Sequence, residues 1–173
     1  IPVVRLVAEL MPLGATAGIW TFSERVEQLI APAKVDSAWK AAALKATTKI
    51  HSRGQFTDIE AALKMATQAW QSRVDTDTAR HVILLTDGVV DVSKNATASI
   101  ASRERILTAG LDRLKANGVQ IHTIALSANS DRDLLTTLAE STEGWAEQVD
   151  NAESLQRVFL HMFEQAASPD TIP

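Results

Sequence analysis

The sequence contains no cysteine. Disulfides, thiolate zinc sites and cysteine nucleophiles are therefore excluded, while the compartment stays open. No stretch approaches the roughly 20 consecutive apolar residues that a membrane-crossing helix needs, and the first residues carry no signal-peptide pattern. Clustered Lys and Arg are also missing: 17 basic residues against 21 acidic ones give a formal charge of −4. A nucleic-acid surface or an anionic-membrane surface would want the opposite balance. Neither a G-x-G-x-x-G loop nor a Walker lysine loop is present, which argues against dinucleotide and P-loop chemistry. Ser23, after GIWTF, has no G-x-S-x-G setting, so a hydrolase nucleophile is not expected there. The four histidines, His51, His81, His122 and His161, show no metal-ligand spacing and are read as structural or surface residues. The four tryptophans are read as core.

What is present is the balance of a soluble globular chain: 173 residues, 46% apolar and 22% charged. That length fits one domain with a sizeable core. One domain is expected over residues 1–167, followed by a tail or linker at 168–173. The chain opens on Ile1, already within a helical pattern over residues 1–13. It reads as a piece of a longer protein.

Periodicity marks strands at 15–22 and 26–30, joined as a hairpin. A helix follows over 37–50, capped by Asp36 and striped by Trp39, Ala43, Ala46 and Ile50. Ile59, Leu63, Ala66 and Trp70 form one face of a helix from Asp58 to about Gln71. HVILLT (81–86) is apolar throughout, as a central parallel strand buried on both faces should be. After a polar loop, Leu107, Leu111 and Leu114 mark a helix closed by Asn117-Gly118. Strands at 119–126 and 145–149 flank a helix containing Leu134, Leu135 and Leu138. Leu155, Val158, Phe159, Met162, Phe163 and Ala166 mark the last helix. Alternating helices and strands predict an α/β fold: a doubly wound, mostly parallel sheet with helices on both faces.

Such sheets bind ligands beyond the carboxyl ends of their strands. Asp87 follows HVILLT at that place, and Gly88 lets the chain turn away. Alone, Asp87 reads better as a turn or cap residue than as a ligand. Earlier, RGQFTDIEAAL (53–63) delivers Thr57 to the start of a helix, where Thr57 and Glu60 fit a capping box and Asp58 suits the helix dipole.

Together these segments resemble the von Willebrand factor type A domain with its metal-ion-dependent adhesion site. GIWTFS, the TDIEAAL helix, the VILLTDG strand, GVQIHTIAL and the final amphipathic helix fall in that family's order. In the family, three loops at the carboxyl edge of the sheet bring an Asp-x-Ser-x-Ser, a threonine and an aspartate. The resemblance implies Thr57 as the threonine and Asp87 as the aspartate, with Mg²⁺ or Mn²⁺ as the ion. Hard oxygen ligands suit such an ion, and few carboxylates leave it an open position for an acidic residue of a protein partner.

The Asp-x-Ser-x-Ser loop itself is absent. Asp91-Val92-Ser93-Lys94-Asn95 is a near-match in the wrong order and reads as a solvated loop. The first central strand and its metal loop are expected before Ile1, between the strands at 15–22 and 81–86. IPVVRLVAELMP and GIWTFSERVEQLI are similar to bacterial membrane-associated members. The resemblance therefore implies an extracytoplasmic binding module anchored by segments outside this chain, with no nucleic-acid partner and no catalytic residue. The competing readings are a magnesium-dependent phosphate-handling enzyme using Asp87 as metal ligand, and a metal-free scaffold.

Overall fold

A computed structural model describes residues 11–23, 25–48, 56–70, 79–86 and 89–167. The helix expected over 1–13 falls almost wholly outside these residues, as do His51, Asp87 and Gly88. The chain divides into two compact units, one formed by residues 1–21, 27–53 and 151–173, the other by 22–26 and 54–150.

The first unit holds a two-stranded sheet of β1 (Thr16–Phe22) and β2 (Val26–Lys34). Gly14 N–H donates to the Val35 carbonyl at 3.0 Å and Val35 N–H to Ala15 at 2.7 Å, closing the open end of the hairpin. β2 runs past the expected residue 30 into the exposed APAK stretch. A strand with one open edge tolerates Pro32, which has no N–H to give. Helix α1 (Ser37–Thr47) starts where Asp36 accepts from Trp39 N–H at 2.7 Å. Trp39, Ala43 and Val35 form a small core, and the Trp39 indole N–H reaches the Ala17 carbonyl at 3.0 Å. The last helix, α6 (Ala152–Ala167), buries Leu155, Phe159, Met162 and Phe163 at the expected helical spacing.

The second unit is built on a parallel sheet ordered β3–β4–β5, from β3 (Arg80–Thr86), β4 (Val119–Ala125) and β5 (Ala146–Gln148). Arg80 pairs with Val119 and Thr86 with Ala125, and Thr123 to Ala125 pair with Ala146 to Gln148. Among the described residues β4, not β3, is the central strand of this sheet. All of β4 is buried except half-buried Gln120, while most of β3 is half-buried. The α/β class is as expected, with the strands in two separate hydrogen-bonded sheets.

Helix α2 (Ile59–Ala66) buries Ile59, Ala62 and Leu63 and passes into a short 3₁₀ turn at Gln68–Trp70. The segment read as a polar loop is largely helix: α3 (Ala96–Arg105) begins where the Asn95 side chain accepts from Thr97 N–H at 2.9 Å. Its surface is so polar that only Ser102 is buried, which hides it from a search for apolar periodicity. A π-helical turn at Ile106–Gly110 then leads into α4 (Leu111–Ala116). The turn explains the apolar spacing, because Ile106 and Leu111 stand five apart and both are buried. Gly118, at φ +67°, closes α4 as the Asn-Gly pair predicts. Helix α5 (Arg132–Ser141) starts at Asp131, which accepts from Leu134 N–H at 3.1 Å.

Of the four tryptophans, Trp39 is core, Trp20 and Trp70 are half-buried, and Trp145 is 38% exposed. Trp145 precedes β5 at the sheet margin, where its carbonyl accepts from Thr123 N–H at 2.8 Å.

Candidate metal site

The carboxyl end of β3 is held from the side. The carbonyl of buried Thr86 accepts from Leu126 N–H at 2.9 Å and from the Ser130 hydroxyl at 3.1 Å, both in the segment leaving β4. Asp87 follows Thr86 in the chain but lies outside the described residues. The chain resumes at exposed Val89 and buried Val90.

Thr57 meets this exit segment. It forms an isolated antiparallel bridge with Asp91, Thr57 N–H donating at 2.6 Å and Asp91 N–H returning at 3.0 Å. Next to it, Asp58 N–H donates to the Ser23 carbonyl at 2.8 Å, just past the end of β1. The start of α2 is therefore fastened to the segment leaving β3 and to Ser23.

The capping box expected between Thr57 and Glu60 does not form. Asp58 is the cap, its carboxylate accepting from Ala61 N–H at 2.9 Å. The bridge to Asp91 occupies the Thr57 backbone, so the helix begins one residue later. Glu60 turns away and binds Arg105 through both carboxylate oxygens, at 2.8 and 2.9 Å, and accepts from the Ser102 hydroxyl at 2.9 Å. Lys64 lies 3.7 Å away. The Arg105 hydrogen bond, aided by Ser102 and Lys64, holds the Glu60 carboxyl below its ordinary value against the opposing effect of burial. A parallel clamp joins Arg103 to the α5 cap Asp131, at 2.6 and 3.3 Å. Burial pushes the Asp131 carboxyl up, but the bonds from Arg103 and Leu134 together hold it below the ordinary range.

These clamps are invisible to sequence reasoning, because Glu60 and Arg105 are far apart in the chain and the one motif that includes Glu60, the capping box, aims it elsewhere. The consequence for Thr57 is chemical: its hydroxyl, freed from capping, pairs with no group among the described residues. It is a hard oxygen donor of the kind Mg²⁺ or Mn²⁺ accepts. No group of three His, Asp or Glu side chains suited to a metal gathers among the described residues. Thr57 thus fits such an ion in donor type.

The near-match Asp91–Asn95 forms a turn, as expected. Ser93 accepts from Asn95 N–H at 3.0 Å and donates to the Asn95 carbonyl at 3.2 Å, while the Asn95 side chain caps α3. His81 and His122, scattered in sequence, come together with ring centroids 5.2 Å apart, in a structural role.

The family model of the von Willebrand factor type A domain matches residues 3–161. The chain belongs to the von Willebrand factor type A family. Such domains are generally interaction modules rather than enzymes, with a metal at the adhesion site. A search of curated proteins found no match. Among solved structures, a von Willebrand factor type A protein from Catenulispora acidiphila aligns at TM-score 0.73 and 18% identity, over 95% of this chain and 37% of that one. An aerotolerance-related membrane protein from Bacteroides fragilis aligns at TM-score 0.59 and 13% identity, over 94% of this chain and 85% of that one. Proximal thread matrix protein 1 from mussel byssus, with a zinc-occupied metal-ion-dependent adhesion site, aligns at TM-score 0.65 and 20% identity, over 96% and 42%. These likenesses show the fold. The chain spans well under half the length of the Catenulispora and mussel proteins. No helix among the described residues is long and apolar enough to cross a membrane.

Proposed function

We propose that this chain is a metal-dependent protein-binding module. Thr57 and Asp87 give oxygen ligands to Mg²⁺ or Mn²⁺ at the carboxyl edge of the sheet, and an Asp or Glu of a protein partner completes the shell. The observation that carries the reading is the Thr57 bridge to Asp91. It ties the threonine to the segment that leaves β3 just after Asp87, and leaves the hydroxyl uncommitted. A divalent ion held there would supply a positive, partly open centre for a carboxylate. The zinc-occupied adhesion site of the mussel protein supports metal use at this place in the fold.

In this reading residues 1–167 act as one binding domain and 168–173 as a tail. The likeness to a Bacteroides membrane protein supports an extracytoplasmic domain of a membrane-anchored bacterial protein. The test is a Mn²⁺ titration of the full-length protein by electron paramagnetic resonance, beside its Asp87→Ala and Thr57→Ala variants. One-site binding that is lost in Asp87→Ala and weakened in Thr57→Ala bears the proposal out. Binding indifferent to both residues overturns it.

A further inference from the structure

We propose that the amino end of the parallel sheet carries a site for a small oxyanion, a phosphate or a carboxylate, at the far end of α2 from Thr57. A cleft of about 210 Å³ opens there between the last turns of α2 and α4. Lys64, Met65, Thr67 and Gln68 line one side of it, Arg113 and Asn117 the other. The volume lies below the roughly 300–1,000 Å³ of pockets that hold drug-sized ligands, so the cleft suits one small group. Its two walls come from segments distant in the chain, which hides it from sequence reading.

The charge of the cleft is one-sided. In a chain of formal charge −4, two cations meet here and no carboxylate lines the cleft among the described residues. Glu60 lies 3.7 Å from Lys64 but is already gripped by Arg105 through both oxygens. A third cation, Arg80, borders the cleft. Its guanidinium donates to the Asn117 carbonyl at 3.0 Å and stands 5.9 Å from the centre of the Trp70 ring.

Helix C-termini ordinarily repel anions, because their last carbonyls are bare. At this cleft those carbonyls are occupied. Leu63 and Met65 accept from Thr67 N–H, and Leu63 also from the buried Thr67 hydroxyl at 2.6 Å. The Thr67 carbonyl accepts from Trp70 N–H at 2.9 Å. Arg113 accepts from Asn117 N–H at 3.0 Å and Lys115 from Gly118 N–H at 3.1 Å. What remains uncommitted is donors: the Arg113 guanidinium and the side-chain amides of Gln68 and Asn117 have no partner among the described residues. A guanidinium fork matches the paired oxygens of a carboxylate or phosphate, and a lysine adds a point charge.

The experiment titrates inorganic phosphate into the full-length protein at constant ionic strength, following arginine Nε–H and side-chain amide resonances by NMR. Saturable shifts at Arg113, Gln68 and Asn117 bear the proposal out. Arg113→Gln should weaken the affinity about tenfold or more, through loss of a charge-assisted forked donor. Arg113 is exposed, so this change should leave folding intact, and Lys64→Gln on the opposite wall should weaken binding as well. Lys115→Gln removes an exposed cation that does not line the cleft, and should leave the affinity unchanged. A parallel titration with succinate separates the two sources: saturation by succinate rather than phosphate assigns the site to carboxylates. Shifts that stay linear with both anions, or an equal loss in Arg113→Gln and Lys115→Gln, overturn the proposal, since general charge screening accounts for them. None of these outcomes touches the metal-binding reading, which concerns the other end of the sheet.

Discussion

Acidification should unfold this protein through one imidazole. His122 is 2% exposed, in the central strand β4. Its Nδ1 accepts from Trp145 N–H at 3.2 Å, so the ring proton of the neutral form sits on Nε2. Nε2–H then donates to His81 Nδ1, 3.0 Å away. Protonating His122 would place a hydrogen where Trp145 N–H already points and would charge a buried ring. Burial first, and the charge of His81 second, push its pKa from 6.5 down to about 4. The unfolded chain therefore binds a proton that the folded chain refuses throughout that interval, and stability must rise with pH there. It is fully present above pH 6.5, drains away as the pH falls, and is gone near pH 4. Each tenfold in proton affinity is worth about 1.4 kcal/mol, so the loss amounts to about 3 kcal/mol, a large share of a typical domain's stability. Urea unfolding of the wild type and of His122→Phe over this range measures it. The variant leaves Trp145 N–H and His81 without their partner, a cost of about 1–3 kcal/mol that His122 can no longer make pH-dependent. Glu60 and Asp131, whose carboxyls are held low, lose their contributions as the pH falls through and below the ordinary carboxylate range, and they do so in both proteins. The wild-type advantage should therefore shrink by about 3 kcal/mol between neutral pH and pH 4. Parallel pH profiles for the two proteins would refute the argument.

Gly144 is closed to any side chain, because a Cβ there would stand 1.9 Å from the Ile121 carbonyl of β4. Gly144→Ala should cost more than about 3 kcal/mol or abolish soluble expression, and a normal melting temperature would show that the backbone has room. The buried Thr142 hydroxyl accepts from Ile121 N–H at 2.9 Å and donates to the Leu138 carbonyl at 2.7 Å. Thr142→Val keeps the shape but orphans that N–H, and should cost about 1–3 kcal/mol in denaturant unfolding. Asp58→Ala should cost about 1 kcal/mol, the usual effect of losing a helix cap, while Thr57→Ala should cost much less. The reverse order in the same assay would restore the capping box and commit the Thr57 hydroxyl to the helix.

Most of the elements were legible because their signals are local. A cap such as Asp36 or Asp131 bonds a backbone N–H three residues away, and the stripe on α6 needs only its own period. The polar helix α3 escaped because its apolar face is nearly empty and its one buried side chain is a serine. The π turn escaped because a five-residue spacing between Ile106 and Leu111 fits no regular period. The places of β3 and β4 within the described sheet escape local reading for a related reason. An unbroken apolar run reports hydrophobicity, but centrality depends on neighbours, and β4 with His122 and Thr123 in it is the strand with one on each side.

The candidate site shows where local reading stops. TDIE satisfies two helix starts equally well, one capped by Thr57 and the other by Asp58, and both obey the same propensities. The choice is made elsewhere, by Asp91, whose backbone takes both hydrogen bonds of Thr57 and pushes the start of α2 along by one residue. A contact between segments distant in the chain thus decides a one-residue question of helix capping. That question in turn decides whether the threonine hydroxyl belongs to the helix or is left for an ion.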